Sequence, residues 1–348
     1  MKVTVRSYGQ AQGKAYDEIC IDNQDVCIYF SNLGARITGW EIKDVGNIVL
    51  GFDNAQACVN HRGYYYGATV GPVAGRIQKG QFKLGNQTYH LDQNDSGNHL
   101  HGGVHGWDLQ QWEYHIVESD EEVAVHFSYV DTEVENYYPG EVTMKVIHRY
   151  SRCNRWTVEY QGISTHDTLM NPTNHVYFNL NGNIRESIHN HIIQANVNYF
   201  MPVNEQGLPQ GDLLSVTETP FDLRQPVLVE DILLSDHPQI RLKCGLDHGF
   251  VFEGTSGPQV RLRSQESNLA IEINTDCPAM VLYSHSFAED IVNVTGQKIY
   301  PYAGLAIETQ MLPDAINQSG FGNIQLKANV QFNSSTTYQL ITDDIFNL

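Results

Sequence analysis

The chain has 348 residues, 41% of them hydrophobic and 18% charged, the profile of a globular protein with enough apolar material for a large core. Against 40 Asp and Glu stand 21 Lys and Arg, a net charge of −19 that opposes binding to nucleic acid or an anionic membrane surface and suits a neutral ligand. No apolar run approaches the ~18 residues of a spanning helix, and residues 1–9 lack the unbroken apolar stretch of a secretory signal, so a cytoplasmic protein is expected.

Short runs rich in Val, Ile, Tyr, Phe and Thr, bounded by Gly, Asn, Asp and Pro, recur along the chain. They predict strands over residues 27–30, 123–130, 142–150, 155–160, 191–197, 269–274, 280–285, 304–309 and 336–342. The runs 142–150 and 155–160 are joined by Ser151-Arg152-Cys153-Asn154, a tight-turn composition that predicts antiparallel pairing. Helical signal is sparse: residues 227–234 suggest one short helix, bracketed closely by Pro226 and Pro238. Many short strands, no Pro- or Ser-rich linker and no fixed-period repeat predict one all-β domain over residues 1–348. Its expected form is a large antiparallel β-sandwich, with loops and strand ends left to build a cleft. The six cysteines make no C-x-x-C pair, so neither a zinc site nor a disulfide framework is indicated. The sequon Asn293-Val294-Thr295 carries little weight without an export signal.

Polar groups of catalytic type fall in five places. In Gly71-Pro72-Val73-Ala74-Gly75-Arg76-Ile77, Arg76 offers a planar, always-charged donor that can grip adjacent hydroxyls or pair with a structural carboxylate. Three histidines follow in seven residues, His99, His101 and His105. His-x-His on a strand could chelate a metal, but Gly102-Gly103 breaks the strand and no carboxylate comes before Asp108. A single histidine turned into a cleft, with the glycines making room for a ligand, fits better, and no metal or cofactor is expected. The run Asn171 to Leu180 sets His175 among Asn171, Asn174, Tyr177 and Asn179, groups able to satisfy backbone or to aim an imidazole. Asp247, in Gly245-Leu246-Asp247-His248-Gly249, is either a turn former or an acceptor for sugar hydroxyls. Glu308 interrupts an apolar run and is either solvent-facing or a buried base with a raised pKa. Trp40, Trp107, Trp112, Tyr177 and Phe178 offer faces on which a pyranose could stack, or core filling. With no nucleophilic Ser or Cys motif and no phosphate loop, the inventory fits proton transfer on a neutral carbohydrate. It leaves open a glycoside hydrolase using Asp247 and Glu308 as a carboxylate pair, or a lectin-like module that binds without turnover.

The order of these motifs resembles the aldose 1-epimerase (galactose mutarotase) family along nearly the whole chain. Asn32-Leu33-Gly34-Ala35-Arg36-Ile37, Gly67 to Gly71 leading to Gly75-Arg76-Ile77, Leu100-His101-Gly102-Gly103 with Trp112, and Tyr138-Pro139-Gly140 carry the first half. Asn171 to Leu180, Phe221-Asp222-Leu223-Arg224, Asp247-His248 and Glu308-Thr309-Gln310 carry the second. The resemblance implies a single galactose mutarotase-like β-sandwich in which Glu308, His175 and His101 are catalytic. Glu308 would take the proton of the anomeric hydroxyl, His175 would protonate the ring oxygen, and His101 would help hold or polarise that oxygen. Arg76 and Asp247 would grip hydroxyls that do not react, with Asn174 and Tyr177 also placed as substrate-binding residues. The implied partner is a free monosaccharide such as galactose or glucose, and the implied state a monomer or homodimer. Three positions depart from the usual pattern: Val281 stands where many members have glutamine, Gly75 where asparagine is usual, and Trp107 where phenylalanine is.

Overall fold

The computed structural model describes residues 1–254, 257–288 and 297–342, and the sequon at Asn293 lies outside them. Apart from shifts at their ends, every predicted strand run but 191–197 is found as one strand, and the paired strands run antiparallel. A nine-stranded sheet takes Glu113–Glu118, Glu122–Asp131, Val142–Ser151 and Arg155–Ser164 in sequence order. It continues through Phe332–Ile341, Ala270–Thr275, Val260–Ser264, His191–Ala195 and Val227–Leu228. Facing it are a five-stranded sheet built from residues 2–47 and a six-stranded sheet. The six-stranded sheet runs Tyr177–Phe178, Leu305–Gln310, Ala279–Tyr283, Asp247–Phe252, Val197–Met201 and Leu214–Ser215.

One apolar core joins the three sheets. Phe30 of the five-stranded sheet stacks on His148 at 4.5 Å, and Trp40 meets Tyr150 edge to face at 6.1 Å. From the six-stranded sheet, Phe178 packs against Tyr338 at 5.7 Å, while Thr309 Oγ1 and Thr336 Oγ1 hydrogen-bond at 2.6 Å across the gap. Trp156 is at the centre, fully buried and stacked on Tyr338 at 4.4 Å, with its Nε1–H donated to His148 Nδ1 at 3.1 Å. Such a β-sandwich follows from strands that alternate apolar and polar positions, since each sheet must bury one face against another.

Two expectations about secondary structure change. The run 191–197 is not one strand: His191–Ala195 lies in the nine-stranded sheet and Val197–Met201 in the six-stranded one. Asn196 makes the corner, its N–H donated to the Gln259 carbonyl and its own carbonyl accepting from Glu253 N–H. The helical segment 227–234 begins as a short strand at Val227–Leu228 and becomes helical only over Val229–Leu233. A further helix, Pro238–Lys243, starts at the very proline that looked like a breaker, because proline at the first helical position gives up an N–H that has no partner there.

Replacing Trp156 by alanine should cost about 3–5 kcal/mol of unfolding free energy, the usual price of truncating a buried aromatic. Urea unfolding followed by far-UV circular dichroism measures it, and a loss under about 1 kcal/mol would mean the three sheets are not held by this contact.

Candidate active site

The six-stranded sheet sorts its residues by alternation. Along Leu305–Gln310, Leu305 and Ile307 enter the sandwich core, so Ala306, Glu308 and Gln310 share the opposite face. Register places Gly249, Val281 and Glu308 in one cross-strand row on that face, with Asp247, Tyr283 and Ala306 in the next. Tyr177 pairs with Ala306 at the sheet edge. This outer face is not left to solvent: segments carrying Tyr65, Gly75, Arg76 and His101 cover it, which buries all six residues of Leu305–Gln310. Between sheet and cover is a cavity of about 260 Å³. A cavity of roughly 150 Å³ holds benzene, so this one suits a single six-membered ring with its hydroxyls.

Glu308 and His175 face each other there, Nε2 and Oε1 being 3.5 Å apart. Burial pushes the Glu308 carboxyl up to about 8, with the Asp247 charge adding to the rise and Arg76 opposing it. Burial likewise holds the His175 imidazole down at about 4. At neutral pH the resting pair is therefore a protonated carboxyl beside a neutral imidazole, not an ion pair. Glu308 Oε2 and His175 Nδ1 have no hydrogen-bond partner among the described residues. The imidazole is positioned by its backbone, which accepts from Gly67 N–H at 3.0 Å and donates to the Ala68 carbonyl at 2.9 Å. The Tyr65 and Tyr177 rings lie nearly parallel to it at 5.7 and 5.0 Å.

His101 is held by a tight left-handed turn. It has φ +52°, and Gly102 and Gly103 continue at +80° and +78°. A Cβ on Gly102 would sit 1.9 Å from the Gly71 carbonyl oxygen, and one on Gly103 would sit 2.2 Å from Asp92 Oδ1. The two glycines thus make room for the chain itself and not for a ligand. Gly75 N–H donates to His101 Nδ1 at 3.2 Å, which fixes the proton of the neutral ring on Nε2. Burial, then His175 and Arg76, hold this imidazole well below its ordinary pKa, so Nε2–H is a neutral donor.

His101, His175 and Glu308 bring one ligand atom each within 4.8 Å of one another. A metal would nevertheless have to displace the His101 Nε2 proton and reverse the tautomer that Gly75 imposes, so the three residues do not fit a cation site.

Asp247 behaves unlike Glu308. Burial works to raise its pKa, but Lys243 Nζ at 2.9 Å and the Arg76 charge hold the carboxyl below its ordinary value. Arg76 lines the same cavity while its Nε donates to Asp95 Oδ2 at 2.7 Å. Two carboxyls in one site are thereby pushed apart, one protonated and one ionised at pH 7.

Of the residues singled out from the sequence, Arg76, His101, His175, Tyr177, Asp247 and Glu308 all line this cavity. Asn174 is absent from its wall: its Nδ2 donates to the Gly67 carbonyl at 2.9 Å, tying down the segment that carries Tyr65. Asn171 and Asn179 also serve backbone, Asn171 clasping both the N–H and the carbonyl of Met311. His99 is fully buried, with Nε2 bonded to Tyr138 Oη, and His105 is exposed. Trp40, Trp107, Trp112 and Phe178 fill cores, so Trp107 is no cleft wall; its ring covers Gly71 and its Nε1 bonds Asp131. Asp247 opens a strand instead of sitting in a turn. Lys243, Tyr65, Tyr283 and Phe287 join the lining without having been foreseen. For Lys243 a signal existed, a cation four residues before an aspartate, but the intervening helix end at Cys244 was needed to aim it.

A buried acid–base pair in a ring-sized cavity, flanked by an ionised carboxylate and two cations, defines a proton-transfer site for a small polar molecule. The aldose 1-epimerase family model matches residues 17–339. A galactose mutarotase from Bos taurus is 33% identical over 313 residues, covering 88% of each chain. An aldose 1-epimerase from Streptococcus thermophilus is 29% identical over 97% of this chain and 98% of its own. The crystal structure of a galactose 1-epimerase from Lactobacillus acidophilus superposes with a TM-score of 0.87 at 30% identity, covering 98% of both chains. The chain belongs to the aldose 1-epimerase family and is an isomerase. Among the described residues no helix is long and apolar enough to cross a membrane.

Glu308 also carries a stability signature. Its folded pKa is raised, so between about 4.5 and about 8 the native state holds a proton that the unfolded chain has released, and stability falls as pH rises through that window. Glu308→Gln removes the loss. The variant should be more stable than the parent by about 3–5 kcal/mol at pH 9 and nearly equal to it at pH 4, read by thermal unfolding at both. Equal stability at pH 9 would show that the carboxyl is not desolvated.

Proposed function

We propose that this aldose 1-epimerase interconverts the α and β anomers of free aldohexoses such as galactose and glucose, with Glu308 as base, His175 as acid and His101 as hydrogen-bond donor to the ring oxygen. The observation that carries the assignment is the pair itself, a carboxyl and an imidazole buried 3.5 Å apart at the floor of a cavity that fits one sugar ring. The bovine and bacterial relatives are named for galactose or aldose epimerisation, which supports the same class of substrate.

In the reactive form Glu308 is ionised and His175 is protonated. Glu308 takes the proton from the anomeric hydroxyl, and that O–H electron pair becomes the second bond of the aldehyde carbonyl. The C1–O5 bond breaks, its electrons stay on O5, and His175 delivers a proton there. Rotation about C1–C2 presents the other face of the aldehyde. The transfers then reverse to close the other anomer. Ring opening turns the charged pair into the neutral pair, which is the form that burial favours, so desolvation of the site draws the sugar toward the open chain. Arg76, Asp247 and Lys243 supply donors and an acceptor for hydroxyls that do not react.

The charged and neutral forms of the pair contain the same single proton, so the fraction that is competent does not change with pH while one proton is held between the two residues. Below about 4 His175 gains a proton while Glu308 keeps its own, and no base is left; above about 8 Glu308 ionises with His175 neutral, and no acid is left. The pH profile of kcat/KM, measured by polarimetry of freshly dissolved α-galactose or α-glucose, should be a plateau with limbs near those two values. No acceleration over buffer by folded protein would overturn the function.

Glu308→Gln and His175→Asn should each lower kcat by about 10²–10⁴-fold while sugar still binds, as calorimetry would show. Near-normal turnover in either variant would mean that its role is misassigned.

A further inference from the structure

One buried polar group lining the cavity, Gln310, has no role in the chemistry above. It is two residues beyond Glu308 on the same face of its strand, 1% exposed, and lines the cavity. Neither Oε1 nor Nε2 has a hydrogen-bond partner among the described residues. Its row explains why: the residue opposite is Ala279, and the diagonal neighbour is Val281, and neither side chain can donate or accept. A buried amide left without partners costs about 1–3 kcal/mol per group, so a fold that keeps one facing a cavity leaves it for the contents of that cavity. An amide offers one acceptor and two donors. A hydroxyl, which donates and accepts through one atom, can answer both sides of it, whereas a carboxylate or phosphate would satisfy only the N–H. Two residues of strand set Glu308 and Gln310 about 6.8 Å apart, a span that one pyranose with substituents on both edges bridges.

We infer that Gln310 is a substrate-positioning residue, its amide exchanging hydrogen bonds with one hydroxyl of the bound sugar other than the anomeric one. The inference rests on the proposed sugar-epimerising function of the same cavity. It assigns to Gln310 the polar contact that Val281, an apolar wall directly opposite Glu308, does not make.

The test compares wild type with Gln310→Met, which keeps the length and removes both polar atoms. The probes are galactose or glucose, whichever wild type turns over faster, and its 2-, 3-, 4- and 6-deoxy derivatives, all of which keep the anomeric hydroxyl and the ring oxygen. Calorimetric Kd and polarimetric kcat and KM are measured for each. The variant should fold with a thermal midpoint at or above wild type. It should bind the parent sugar roughly tenfold more weakly with kcat changed less than about threefold, the size expected of one lost hydroxyl contact. One deoxy sugar, weak on wild type, should bind equally to both proteins. Unchanged binding of the parent sugar overturns the inference, as does a loss of the same size on all four deoxy sugars. Failure of Gln310→Met to fold also overturns it, since the amide would then be serving the protein. If wild type accelerates neither sugar, the functional reading falls first; an active wild type with an indifferent variant removes the role of Gln310 alone.

Discussion

The desolvation of Glu308 is the constraint around which the site is arranged. A carboxyl on a strand buried on both faces cannot easily hold a charge, and its pKa climbs to about 8. The inner face is buried because the sandwich needs Leu305 and Ile307 in its core, the outer face because the segments bearing Tyr65, Arg76 and His101 close over it. The same enclosure keeps His175 and His101 neutral. Asp247 escapes it only through the ammonium of Lys243 and the charge of Arg76. One physical effect, burial, therefore leaves a protonated carboxyl and two neutral imidazoles around the cavity, and one ion pair produces the exception.

Rigidity of the cover is what lets burial act on fixed geometry. The His101 turn is left-handed and backed against Gly71 by Gly102, with no space for a side chain. Gly75 chooses its tautomer. Asn174 pins the Gly67 carbonyl, and Asn171 pins Met311 just past the end of the Glu308 strand. These amides do not touch the cavity, yet each fixes backbone from which a cavity-lining side chain projects, a positioning duty that proton transfer over short distances requires.

Much of this was legible beforehand, unevenly. Alternating apolar runs such as 142–150 and 155–160 declared themselves as strands, because a half-buried strand must repeat with period two. The corner at Asn196 did not, since both sides of it are equally strand-like and only the separation of two sheets distinguishes them. Arg76, His101, His175, Asp247 and Glu308 were identifiable from motif order, and they converge. Asn174 and Trp107 look like site residues in a list of motifs, and they are turned elsewhere by contacts with Gly67 and Asp131 that no local pattern encodes. Gln310 shows the converse, since nothing nearby in the chain distinguishes it from an ordinary polar strand residue, and for Lys243 the spacing to Asp247 is a signal that only the helix end at Cys244 turns into a contact.

By itself the sequence determined the strand content, the all-β class, the family and the chemical types available for proton transfer, since those depend on periodicity and on side-chain identity in a fixed order. Whether Glu308 faced water or the interior was undecidable from its apolar neighbours, because a strand buried on both faces and one buried on a single face can share the same six residues. Only the packing of cover upon sheet decided it. Burial is a property of everything that surrounds a residue, and for Glu308 those surroundings come from segments as distant as Tyr65, Arg76, His101, His175 and Val281.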